Sequence, residues 1–164
     1  MEYRKIYSGI VAEIVKKSLE KYDLSDDYSI NLFTNIARKT IEEIEYNPKT
    51  NLDENVFIKR SIIDNIDRFM VSLALDNKTT YKILESNLMK TLNMVTKINK
   101  VKFKNISDED KEYYKEYAIL KTIETYDDNI KESLNIYVTD WFMAFINKEV
   151  NEDSKLLYKK CLQK

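Results

Sequence analysis

Apolar residues return at three- and four-residue spacing along nearly the whole chain, and that period leaves few folds open. In the first segment Ile6, Ile10, Ile14 and Leu19 form one line along a helix, and Tyr7, Val11 and Val15 form the adjacent one. Together they make a broad apolar stripe on a helix expected over residues 2–22. Gly9 stands inside that stripe, where it costs about 1 kcal/mol against Ala; close packing of a neighbouring helix is the expected reason for it. A second helix, capped by Ser25 or Asp26, turns Phe33, Ile36, Ile41 and Ile44 inward. It ends near Tyr46, because Asn47 precedes Pro48 and is pushed out of helical geometry. Asp53 opens a third helix carrying Phe57, Ile62, Ile63, Ile66, Phe69, Met70 and Leu73, and Thr79 caps a fourth lined by Ile83, Leu84, Leu88, Leu92, Val95 and Ile98.

Beyond the fourth helix, residues 100–104 alternate lysine and apolar residues with a period of two, which predicts a short extended piece. Ser107, with Asp110 three residues on, resembles a capping box and starts a fifth helix bearing Tyr113, Tyr117, Leu120 and Ile123. Residues 125–129 break or kink it, with one long continuous helix as the alternative. A sixth helix follows with Ile130, Leu134, Val138, Trp141, Phe142 and Phe145. Positions 141–146 are apolar without interruption, so a hydrophobic central helix is expected near 130–149. A short last helix would carry Leu156, Leu157, Cys161 and Leu162. The expected fold is all-α: a single compact irregular bundle of six or seven amphipathic helices, one domain over residues 1–164. A chain of this length buries about 70% of its unfolded surface, enough for a core without disulfides.

The residue types that are missing exclude much chemistry. There is no His, which removes Ser-His-Asp and Cys-His nucleophile systems and histidine metal sites. A single Gly leaves no glycine-rich phosphate loop. Cys161 is the one cysteine, so no intrachain disulfide forms, and a reducing compartment is the expectation. The first residues lack the apolar core of a secretion signal, and no stretch approaches the ~20 apolar residues of a membrane helix. The chain is therefore expected to be cytoplasmic, with no membrane partner and no cofactor. Only four basic residues are Arg (Arg4, Arg38, Arg60, Arg68) among 27 Lys and Arg. With abundant Asn, Ile and Tyr, that balance points to AT-rich codons and to a viral, phage or low-GC bacterial accessory protein.

Three constellations carry the remaining possibilities. Glu42/Glu45 and Asp64/Asp67 each place two acids one helical turn apart, and such pairs on facing helices resemble the Mg²⁺ sites of all-helical nucleotide pyrophosphatases. Random placement of 28 acids gives roughly five pairs at this spacing, and seven occur, so the pairs read first as solvated surface. Residues 86–107 contain five lysines and no acid, whereas residues 108–153 carry 13 acids against five lysines. Lys97, Lys100, Lys102 and Lys104 crowd around Phe103, the combination that phosphate contact with base stacking needs. A formal net charge of -1 gives no general attraction to polyanions, which limits that reading. Tyr113, Tyr114 and Tyr117 cluster at the start of the fifth helix, and a rim-exposed Tyr beside acids suits a protein interface. The expected function is thus a non-enzymatic protein–protein interaction module, an adaptor, inhibitor or small subunit whose partner is another protein or a second copy. A nucleic-acid-associated subunit and a Mg²⁺-dependent nucleotide hydrolase stand behind it.

Overall fold

The structure, a computed structural model, describes residues 7–44 and 53–147. They form six α-helices: α1 (Ser8–Lys21), α2 (Asp27–Glu43), α3 (Glu54–Ala74), α4 (Lys78–Ile98), α5 (Asp108–Thr125) and α6 (Leu134–Ile146). Among the described residues there is no strand. The chain falls into two compact units, Met1–Leu84 and Glu85–Lys164, with the division inside α4.

In the first unit, α1 packs on both α2 and α3, and α2 packs on α3. The turn between α1 and α2 is tight. Asp23 adopts φ 52°, a left-handed conformation that a short polar side chain tolerates. Leu24 N donates to Leu19 O at 2.9 Å, which closes the end of α1. Asp26 then caps α2, its carboxylate accepting from Ser29 N at 2.9 Å and from Ser29 Oγ at 2.7 Å. Those two bonds hold the Asp26 carboxyl below the usual carboxylate range. Ile58, Ile62, Ile66 and Met70 form one buried line along α3, opposite Phe33, Ala37 and Ile41 of α2 and Val11, Ile14 and Val15 of α1. Each such large side chain contributes roughly 1.5–3 kcal/mol by leaving water.

The second unit holds the remainder of α4 with α5 and α6, the last two packed on each other. Ser107 accepts from Asp110 N at 3.1 Å and Ser133 from Ile136 N at 3.4 Å, so both helices start on serine caps. Leu134, Val138, Phe142 and Phe145 bury one line of α6. The helix is not enclosed on every side: Trp141, Met143, Ala144 and Ile146 are part-exposed and Ile136 is exposed.

Four local expectations are corrected. Residues 100–104 are turns rather than an extended piece. In a strand Val101 and Phe103 would share a face, yet Phe103 is 1% exposed and Val101 79%. Asn77, not Thr79, caps α4, its Oδ1 accepting from Thr80 N at 3.0 Å. Ile130 lies outside α6. Gly9 is exposed, and a Cβ built on it meets nothing within 4 Å, so close packing does not account for it. The loop expected around Pro48, the helix start before residue 7 and the last helix with Cys161 lie outside the described residues.

Candidate functional site

The broad stripe of α1 is more than its neighbours cover. Between α1 and α2 runs a groove of about 700 Å³, floored by Val11, Val15 and Leu19. Ala12 and Lys16 of α1 and Ile30, Thr34 and Arg38 of α2 form its walls, and Leu24 and Ser25 line it at the turn. From Ser8 to Glu20 the rise of the helix is roughly 18 Å, about three helical turns. Its two ends differ in charge: Glu20 and Asp23 stand at the turn, while Arg38 lies near the other end. The exposed Tyr28 and Ile30 extend apolar surface along α2.

On the far side of α1 a polar seam ties its end to α3. Asp67 is buried, and Tyr22, itself fully buried, donates its hydroxyl to Asp67 Oδ1. Lys21 Nζ lies 3.1 Å from Oδ1 and 3.3 Å from Oδ2. On a different face of α3, Asn65 Nδ2 donates to Thr40 Oγ1 of α2 at 2.8 Å, and Arg68 donates to Asn65 Oδ1 at 3.1 Å. Partial burial raises the Asp64 carboxyl above its ordinary value, against the pull of Arg68. Of the four carboxylates of the hydrolase reading, the three among the described residues, Glu42, Asp64 and Asp67, are not grouped into one site. Asp67 commits its oxygens to Lys21 and Tyr22, Glu42 is exposed on α2, and Glu45 lies outside the described residues. Among the described residues no three His, Cys, Asp or Glu side chains are grouped to hold a metal ion. Nor is Asp67 the solvated surface acid that the chance frequency of such pairs suggests.

The basic segment is part surface, part core. Lys97, Lys100, Lys102 and Lys104 are exposed. Phe103 instead packs edge-on against Phe142, ring centres 5.7 Å apart, and has no face to offer a base. The apolar side chains that do reach the surface here are Met94, Ile98 and Val101. Ile98 was expected to face inward. The missed signal is that Met94 and Ile98 stand one turn apart, a second and outward-facing line on α4.

Tyr114 and Tyr117 tie α5 to α6 through Phe145, and Tyr113 packs on both of them. Tyr113 and Tyr117 rings lie 4.3 Å apart, and Tyr114 stacks on Phe145 at 6.2 Å with an interplanar angle of 4°. Tyr117 is buried, and burial together with the neighbouring Tyr113 hydroxyl raises its phenol above the ordinary range. Tyr113, Glu116, Tyr117 and Leu120 leave a hollow of about 150 Å³, too small for more than a side chain. Trp141, expected in the core, is part-exposed and carries Lys121 Nζ 5.4 Å above its ring. Comparison with family models, with curated proteins and with solved structures gives no match.

Proposed function

We propose that this protein is a non-enzymatic interaction module that receives an amphipathic helix of another protein in the groove between α1 and α2. The observation that carries this reading is the groove itself: an apolar floor about three turns long, with an anionic end at Glu20 and Asp23 and a cationic wall residue, Arg38, toward the other. A helix with apolar residues at i, i+4 and i+7 fits the floor, with its basic end toward the α1–α2 turn and its acidic end toward Arg38. Such a module works as an adaptor, an inhibitor or a small subunit. The lone Cys161 and the Lys-rich, Arg-poor composition fit a cytoplasmic accessory protein of viral, phage or low-GC bacterial origin. No described helix is long and apolar enough to cross a membrane.

Selection from a display library of amphipathic helices tests it. Helices recovered on the wild type should lose at least about tenfold in affinity for Ala12→Trp, which fills the groove from an exposed wall position. The thermal midpoint of that variant should be unchanged. Recovery of no helix, or of helices indifferent to Ala12→Trp, counts against the groove. Nucleic-acid contact through Lys97, Lys100, Lys102 and Lys104 is a second reading, favoured by their exposure alone. It requires oligonucleotide affinity that falls steeply with salt and disappears when Lys100, Lys102 and Lys104 become Glu.

A further inference from the structure

At the end of α4, Met94 and Ile98 stand one turn apart and Val101 follows in the next turn; they are 63%, 74% and 79% exposed. Single exposed apolar residues are ordinary, but two on one face of α4 with a third in the turn directly after it suit a contact surface. Lysines surround this strip. Lys90 and Lys97 share its side of the helix by phase, and Lys100, Lys102 and Lys104 follow in the turn, with no acid anywhere in residues 86–107.

The sign of the charge then reverses within four residues. After the Ser107 cap, α5 opens with Asp108, Glu109 and Asp110, followed by Glu112, all exposed. This acidic start borders the strip's own helix, because Lys115 Nζ bridges Asn93 Oδ1 at 2.9 Å and Glu112 Oε1 at 2.8 Å. Asn93 is the residue before Met94. A polyanion, whether an anionic bilayer or a nucleic acid, would be drawn to the lysines and repelled by the acids beside them. The surface instead suits a partner that carries both signs next to an apolar patch. In a two-fold contact, patch i of one copy meets patch j of the other and the reverse, so a surface of this composition meets its complement in a second copy of itself.

We infer that the chain self-associates through this corner of its second unit, burying Met94, Ile98 and Val101 while the lysines of one copy face the first acids of α5 in its mate. This contact does not depend on the α1–α2 groove. Three side chains fall short of the roughly 800 Å² per partner of a stable interface, so the association is weak and its charged rim supplies the specificity.

Sedimentation velocity of the full chain at low salt, from about 1 to about 100 μM, tests this. The wild type should move from monomer to dimer over that range. Ile98→Glu, on an exposed position, should raise the dissociation constant at least about tenfold. A variant with Lys97→Glu, Lys100→Glu and Lys102→Glu should be monomeric, as should a second with Glu109→Lys and Asp110→Lys. Mixed in equal amounts, the two should form a heterodimer, because each then supplies the charge its mate lacks. Circular dichroism checks that both variants are folded. A wild type monomeric throughout, a dimer indifferent to Ile98→Glu, or folded charge variants that fail to pair on mixing would each overturn the inference. A monomer that binds phosphatidylglycerol vesicles or a single-stranded oligonucleotide would also overturn it, and would assign the strip to a polyanion.

Discussion

Asp67 shows how one residue type is read two ways. A carboxylate on a helix is solvated by default, yet this one is buried beside Val71 and Ala74 on the inward face of α3. Tyr22 and Lys21 make that position tolerable by supplying a hydroxyl and an ammonium, so three polar groups from two helices satisfy one another. Replacing Asp67 with Ala takes an acceptor from a buried phenol and the counter-ion from a mostly covered lysine. The expected loss is about 2–3 kcal/mol, seen as a lower urea midpoint at unchanged slope. Tyr22→Phe, which removes one hydrogen bond and keeps the ring against Phe33, should cost about 1 kcal/mol. Asp64, one turn earlier, works in the opposite direction. Its carboxyl titrates above the unfolded value because burial disfavours the charge. The folded state therefore holds this proton to higher pH than the unfolded state, and stability falls as pH rises through the folded value. Asp64→Asn should be more stable than the wild type at pH 7, by thermal melting, and the advantage should vanish below about pH 4, where both forms are neutral. The α3 sequence contains both acids but not the difference between them, since burial of Asp67 depends on the residues that α1 brings.

At the scale of the element, start signals were more legible than faces. Asp26 and Ser107 were recognisable as caps because a short acceptor side chain precedes an apolar-periodic run, and both accept from the third residue on. Ser107→Ala should cost about 1 kcal/mol and should raise amide hydrogen exchange in the first turn of α5 before that elsewhere in the helix. Gly9 was legible as a flaw in α1 but not for the reason expected. With nothing within 4 Å of an added Cβ, Gly9→Ala should stabilise by about 0.5 kcal/mol, measured by urea unfolding. Residues 100–104 misled because five residues of period two fit a strand and a turn equally well. The decision came from Phe103, whose ring finds Phe142 of α6 and drags the backbone into turns, leaving Val101 outside. The same limit applies to Ile98 and to α6. An apolar run says that a helix has many sides to bury, while the number of sides that are covered is fixed by its neighbours.

Over the whole chain the charge map could be read directly from the sequence, whereas the groove could not. Five lysines without an acid in residues 86–107, followed by an acidic stretch, is a linear fact that folding preserves as a surface. The groove exists because α1 is apolar over a wider arc than α2 and α3 cover, and that remainder appears only once the three helices are placed. The two surfaces lie in different units and differ in how far they depend on exposed charge, so salt should separate them. Raising ionic strength from about 0.1 M to about 1 M shortens the screening length from about 10 Å to about 3 Å. Contact between the lysines of α4 and the acids of α5 should then weaken severalfold in sedimentation, since its rim is exposed and screened. A helix held in the groove should change little, because apolar burial does not depend on screening. Substitutions should follow the same division: Ala12→Trp should leave self-association intact, and Ile98→Glu should leave helix binding intact. If one variant abolishes both, the two surfaces are coupled, and neither has been assigned its own partner.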